Sequence, residues 1–78
     1  MTAPTFKTVS ITDAEIEVAH LEEGHRYRLH FAIDKNGRRV LSEGTQQDSG
    51  SAKHSAIYFA GDARVFAEIE ARARNKID

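Results

Sequence analysis

Residues 15–43, EIEVAHLEEGHRYRLHFAIDKNGRRVLSE, decide the fold because two turn signals divide them into three runs in which apolar and polar residues alternate. Glu23-Gly24 ends the first run, Glu15–Leu21, and Asn36-Gly37 separates the second run, Arg26–Asp34, from the third, Arg39–Glu43. An Asn-Gly pair between alternating runs is a strong hairpin signal, because a type I′ turn needs a positive φ at both central residues. The stretch therefore predicts three antiparallel strands joined by two hairpins.

Two-residue turns also fix which residues lie opposite each other. At Glu23-Gly24 such a turn predicts the pairs Ile16–Phe31, Val18–Leu29 and His20–Tyr27. At Asn36-Gly37 it predicts Ile33–Val40 and Phe31–Ser42, which places Leu41 on the outer face. Both turns put the same face of the middle strand inward, and a slip of one residue would reverse every side chain.

The flanking segments complete a sheet with one helix. Phe6–Ile11 is a short β-leaning run, and the polar stretch at about 45–55 is predicted to be a flexible loop. Ala56–Phe59 is predicted to be a fourth meander strand, and the alternative is a helical segment continuous with the C-terminal helix.

The C-terminal segment has helical periodicity. Asp62 is the expected N-cap of a helix from Ala63 to about Lys76. Its apolar stripe at helical spacing consists of Val65, Phe66, Ile69, Ala73 and Ile77. We therefore predict one α+β domain over residues 1–78, an antiparallel meander sheet of four to five strands with one C-terminal amphipathic helix packed on one face. One helix cannot cover both faces, so the open face is where function is sought.

Composition limits the classes of function. The chain has 78 residues, no cysteine, and 11 Lys+Arg against 12 Asp+Glu, so disulfide frameworks and thiolate chemistry are excluded. No apolar run approaches the roughly 18 residues of a membrane span, and Met1–Pro4 lacks the features of a signal peptide. No cofactor-binding or catalytic motif is recognisable. We expect a non-enzymatic, cofactor-free cytoplasmic protein without a membrane segment.

The open face predicts a protein-interaction surface, because interfaces combine apolar area with arginine. The residues expected to form it are Arg26, Arg28, Arg39, Leu21, Leu41 and Ala32. The leading hypothesis is a small module that binds a partner protein or itself through this face, as a homodimer in the second case. Accessory and mobile-element proteins, including phage-encoded inhibitors, are one class in which such modules occur.

Two alternatives remain open. The arginines could bind single-stranded nucleic acid, and the order of a meander followed by a helix resembles the layout of single-strand-binding coactivator domains; interleaved glutamates and the lack of exposed aromatics oppose this hypothesis. The predicted register also aligns Glu17, His30 and Glu43 in one row, which has the residue types of a metal site or acid–base centre. A solvated charge ladder is the simpler explanation of that row.

Overall fold

The computed structural model describes residues 5–50 and 53–78 and confirms the α+β class. The described strands form one antiparallel sheet in the order β1-β2-β3-β4, with β5 also paired to β3. The strands are β1 (Phe6–Ile11), β2 (Glu15–His20), β3 (Arg26–Ile33), β4 (Arg39–Leu41) and β5 (Thr45–Gln47). A 3₁₀ turn, Ala56–Phe59, runs directly into the helix α1, Ala60–Ala73. Within the described ranges no helix is long and apolar enough to cross a membrane.

The core lies between one face of the sheet and α1. The sheet contributes large side chains, including the fully buried Ile16 and Val18. The helix contributes Ala63, Ala67 and Ala71, which recur every fourth residue and are at most 1% exposed. Because alanine projects only a methyl group, the helix lies close to the sheet, and the volume between them is filled from the sheet side.

The helix therefore buries a different stripe from the one that its large apolar residues predict. Val65 and Ile69 are each 58% exposed. Phe66 is half-buried, with its ring centre 5.8 Å from that of Phe6, and Ile77 is buried as expected. The prediction that Val65 and Ile69 face the core was wrong, because the alanine stripe permits a closer approach to the sheet.

The ends of the helix also differ from the prediction. Ala56–Phe59 is helical, as the alternative hypothesis held, and is not a strand. The helix α1 begins at Ala60, so Asp62 lies in its first turn and is not the N-cap. It ends at Ala73 instead of about Lys76, because Asn75 takes the left-handed conformation (φ 59°) that commonly terminates helices.

The second hairpin has a three-residue loop, and this reverses the face of β4. Asp34 Oδ1 accepts hydrogen bonds from the N–H groups of Asn36 (2.8 Å) and Arg38 (2.9 Å). The Asp34 side chain thereby favours a turn followed by a left-handed glycine, Gly37 (φ 81°), over the predicted two-residue turn. Phe31 consequently pairs with Leu41 instead of Ser42. Leu41 points into the core, and its predicted place on the outer face was wrong.

The first hairpin keeps its predicted faces but not its predicted pairs. Its loop has four residues, closed by a hydrogen bond from the His20 N–H to the His25 carbonyl (2.8 Å). Ile16 lies opposite Leu29 and not opposite Phe31, a displacement of two residues. An even displacement leaves every side chain on the same side of the sheet, so the inward faces of β2 and β3 were predicted correctly. The exception is Ile33 at the end of β3, which was expected in the core and is 66% exposed.

A break in register separates β4 from β5. Arg28 pairs with Thr45, which is one residue out of step with the pairing of Phe31 and Leu41. Gly44 lies in this break, where a Cβ atom would be 1.6 Å from the Arg28 carbonyl oxygen. The predicted loop at 45–55 thus begins with three strand residues, and its residues 51 and 52 lie outside the described ranges.

We expect Gly44→Ala to lower the free energy of unfolding by about 2 kcal/mol or more, because its methyl group must displace the backbone of β3. Urea denaturation measures this change. Gly61→Ala is the matched control, since no atom lies within 4 Å of a Cβ there, and helix propensity should stabilise it by about 0.5–1 kcal/mol. Equal stability of wild type and Gly44→Ala would contradict the requirement for glycine in the break.

Candidate functional site

The sheet face turned away from α1 carries an ion-pair cluster of Glu15, Glu17, Arg26 and Arg28. Arg28 Nη2 donates to Glu17 Oε1 over 2.9 Å, and Arg28 Nε lies 3.1 Å from Glu15 Oε2. Arg26 Nη1 donates to Glu17 Oε2 over 3.2 Å. The cluster forms because Glu17 lies directly opposite Arg28 in the pairing of β2 with β3.

The charges of this cluster compensate one another. The Glu17 side chain is only 12% exposed, so its carboxylate depends on the two arginines for hydrogen bonds and charge. Hydrogen bonding to Glu17, together with the charges of Glu15 and Glu17, raises the pKa of Arg28 further above its already high value. Nucleic-acid binding needs positive charge that is free to neutralise phosphates. The cluster gives the nucleic-acid hypothesis no support.

The six residues of the predicted interaction surface do not form one patch. Arg26, Arg28 and Ala32 belong to β3 and share its outer face. Leu41 is only 4% exposed and belongs to the core cluster. A charged substitution of Leu41 would therefore disturb folding and could not report on a surface.

Arg39 and Leu21 lie apart from those three residues. The Arg39 guanidinium contacts Asp78 Oδ1 (3.0 Å) and the Asn75 carbonyl (2.7 Å) at the edge of β4. The backbone N–H and side chain of Arg39 hold the pKa of Asp78 below its usual range. Leu21 lies in the loop between β2 and β3 and is 45% exposed.

The predicted row of Glu17, His30 and Glu43 is not formed. His30 pairs with Glu15, Glu17 pairs with Arg28, and Glu43 lies in the break between β4 and β5. The two-residue displacement of the first hairpin separates Glu17 from His30, and the three-residue loop of the second hairpin places Ser42 instead of Glu43 beside His30. No cluster of three or more metal-ligating side chains occurs among residues 5–50 and 53–78.

Three histidines that the sequence analysis did not connect meet around the ring of Phe59. The ring centres of His20, His25 and His54 lie 4.2, 6.1 and 5.8 Å from its centre. His25 is fully buried, and its Nδ1 accepts the N–H of Ser49 (2.9 Å), so Nε2 carries the proton donated to the His54 carbonyl (2.7 Å). His25 therefore ties Ser49 and His54, on either side of residues 51 and 52, to the start of β3. Sequence spacing gives no signal for this cluster.

Glu23 anchors the same loop from the first hairpin. Its Oε2 accepts the N–H of Lys53 over 2.8 Å, and its Oε1 lies 3.3 Å from Nδ1 of His54. Burial raises the pKa of the Glu23 carboxyl, but the hydrogen bonds from His54 and Lys53 outweigh burial and hold that pKa below its usual range. The ionised carboxylate thus fixes the loop that leads into the 3₁₀ turn.

A groove of about 550 Å³ separates the outer edge of β5 from the beginning of the helix. Gly44, Thr45 and Gln46 line it on the strand side. On the helix side it is lined by Ile57, Ala60, Gly61, Ala63 and Arg64. Ile57 is 72% exposed, so an apolar side chain is available along one wall. This groove is not expected from the sequence when Ala56–Phe59 is predicted to be a strand.

Tyr27 lines the groove from the sheet and fixes the segment that forms its far wall. Its hydroxyl donates to the Ala56 carbonyl over 2.5 Å. Burial, and the negative charge of Asp48, raise the pKa of Tyr27, so the hydroxyl keeps the proton that it donates. Asp48 Oδ2 accepts the Ala56 N–H over 2.8 Å. The groove wall is thus held in place through both main-chain groups of Ala56, its carbonyl and its N–H.

The strands β4 and β5 lie along the same edge of the sheet and differ in whether their outward main-chain groups are hydrogen-bonded. At β4, Asp78 takes both main-chain groups of Arg39: Asp78 Oδ2 accepts its N–H (2.8 Å), and the Asp78 N–H donates to its carbonyl (3.0 Å). The Leu41 carbonyl accepts from Arg64 Nη2 over 2.6 Å. Gln46 in β5 has no such partner at its outer edge among the described residues.

We expect the stability difference between wild type and Glu23→Gln to depend on pH in one direction. Because the folded-state pKa of Glu23 lies below its ordinary value of 4.5, the carboxylate contributes stability that is fully present above about pH 5 and is lost as the pH falls through the folded-state pKa. Urea denaturation of both proteins at pH 7, 5 and 3 measures the difference. A difference that grows on acidification would contradict this role of Glu23.

Comparison of the chain with protein-family models, with curated proteins and with solved structures gives no match. The functional conclusion therefore depends on the geometry of the groove, the open edge of β5 and the exposed apolar residues of the helix.

Proposed function

We propose that this protein is a non-enzymatic protein-interaction module that binds an extended segment of a partner protein as an added strand along β5. The observation that carries the proposal is the unpaired outer edge of Gln46, among the described residues, beside an apolar groove. Strand addition obtains affinity from main-chain hydrogen bonds and specificity from pockets for alternate side chains. Both elements are present at this edge.

The direction of the Gln46 backbone follows from the pairing of β3. The Ser42 N–H donates to the His30 carbonyl over 2.7 Å, so the main-chain groups of His30 face the edge strand. In an antiparallel ladder alternate residues face the same neighbour, so Arg28 also directs its groups there and exchanges bonds with Thr45. Gln46 then directs its own N–H and carbonyl away from the sheet, toward an incoming strand.

The groove supplies the specificity that an open edge alone would lack. In an added strand, every second side chain would point to the helix side of the sheet, over Ile57 and Ala60. A volume of about 550 Å³ lies in the range of small-ligand pockets and accommodates apolar side chains. We therefore expect the bound segment to be extended and to carry an apolar residue opposite Ile57.

The other edges of the sheet are less suited to strand addition. Asp78 occupies the N–H and carbonyl of Arg39 in β4, and Arg64 occupies the carbonyl of Leu41. The far edge, β1, has an irregular register between Thr8 and Ser10 and carries the exposed Lys7. Bulges and lysines are devices by which edge strands avoid pairing. The open stretch of β5 is the exception to this protection.

Gln46→Pro tests the proposal directly, because proline removes the outward N–H and leaves the ladder bonds of Thr45 and Gln47 in place. Peptides of twelve residues selected by phage display against the wild-type protein are the probes. We expect Gln46→Pro to weaken their binding at least about tenfold, since one hydrogen bond and the close approach of the strand are lost. Fluorescence anisotropy measures Kd.

Two further variants locate the bound peptide. Ile57→Glu should weaken binding to a similar extent, whereas Ile33→Glu changes a similarly exposed isoleucine outside the groove lining and should leave binding unchanged. In NMR spectra the Gln46 amide should become protected from exchange when the peptide is bound. Selected peptides that bind wild type and Gln46→Pro equally would refute strand addition at β5.

A further inference from the structure

The helix α1 carries an exposed stripe that neither the core nor the groove uses. Val65 and Ile69 are each 58% exposed, and they lie on the side of the helix opposite Ala63, Ala67 and Ala71. Their spacing of four residues places them one above the other on the helix surface. These two β-branched apolar side chains form a docking surface that no other part of residues 5–50 and 53–78 covers.

The residues around this stripe are arranged symmetrically about position 67. Asp62 lies as far before that position as Arg72 lies after it, and Val65 and Ile69 are related in the same way. Gly61 and the exposed Ala73 form a third such pair. These residues share one face, since positions three, four and seven apart fall on the same side of a helix.

We infer that the occupant of this stripe is a second copy of the chain, packed through α1 in an antiparallel, two-fold symmetric dimer. With the axis at the level of position 67 but on the face of the helix opposite the buried Ala67, Val65 would pack on Ile69 of the second copy, and Asp62 would face Arg72 of the second copy. A two-fold interface repeats each contact. The dimer therefore contains two apolar contacts and two opposite-charge pairs from four residues of each copy.

The charges select this arrangement over a parallel one. In a parallel dimer Asp62 would face Asp62 of the second copy, and Arg72 would likewise meet its own equivalent. Asp62 makes no ion pair among the described residues, and Arg72 engages only Nε there, with the Asp78 carbonyl at 3.1 Å. Both groups are thus available for a partner. The absence of a side chain at Gly61 and the single methyl group of Ala73 permit close approach of the helices.

Of the six residues placed on the dimer face, Gly61 alone also lines the groove at β5. Arg64 and Glu68, which form an i,i+4 ion pair at 3.1 Å, lie on the flank of the helix nearer the groove. The dimer therefore does not rest on the proposed function, and either proposal can fail without the other. Peptide binding and self-association are measured separately.

Reciprocal charge reversal tests the dimer and its direction. Asp62→Arg alone and Arg72→Asp alone each replace both opposite-charge pairs by like-charge pairs, so we expect the dimer Kd to rise at least about tenfold in either variant. In an equimolar mixture of the two variants, each substituted residue would face an opposite charge. The mixture should therefore dimerise as wild type does. Sedimentation equilibrium from about 10 μM to about 1 mM, a range that brackets modest association constants, measures each case against the chain mass of 8.7 kDa.

Controls separate loss of association from loss of folding. Lys35→Glu makes a charge change of the same size in the second hairpin loop and should leave the dimer intact. Far-UV circular dichroism establishes that each variant is folded, and restored association in the mixture itself shows that both are. A wild type that remains an 8.7 kDa monomer at the highest concentration, or a mixture no more associated than its components, would overturn the inference.

Discussion

The contact between Gly44 and the Arg28 carbonyl is the constraint on which the rest of the structure depends. Because Gly44 has no side chain, the edge strand can approach β3 closely at this point, and its pairing with β3 changes register there by one residue. Before the break, Leu41 enters the core and the strand edge is covered by Asp78 and Arg64. After the break, the edge strand borders the groove, and no described residue covers the outer main-chain groups of Gln46. Gly44 thus separates β4, whose edge is largely covered, from β5, whose edge is available for pairing.

The alanine stripe of α1 has a second consequence beyond close packing. The fully buried residues of the helix are all alanines, so most of the core volume comes from the sheet, where Ile16, Val18 and Leu29 supply it. Phe66 packs from the helix at the margin of the core, and Val65 and Ile69 are left exposed to solvent. The exposure of Val65 and Ile69 is therefore a result of how the core is built. Isolated apolar residues on a surface are ordinary, but two in one stripe flanked by opposite charges are suited to an interface.

Sequence reasoning recovered what depends on local periodicity, namely the fold class and the inward faces of β2 and β3, because alternation survives a displacement of two residues. It misplaced Leu41, because the Asp34 carboxylate stabilises a three-residue turn that competes with the Asn-Gly signal. It chose the wrong helix stripe because both stripes are apolar, and only the volume of the opposing sheet decides between them. The groove could not be predicted, because Tyr27 and Asp48 hold the Ala56 peptide groups through tertiary hydrogen bonds that have no spacing signature.

The two proposed surfaces also have a joint consequence. A dimer formed through α1 would carry two copies of the β5 edge related by a two-fold axis. A partner with two extended segments could then occupy both, and the second binding event would become intramolecular. Modest affinity at each edge would suffice for tight binding, which suits a short edge strand such as β5.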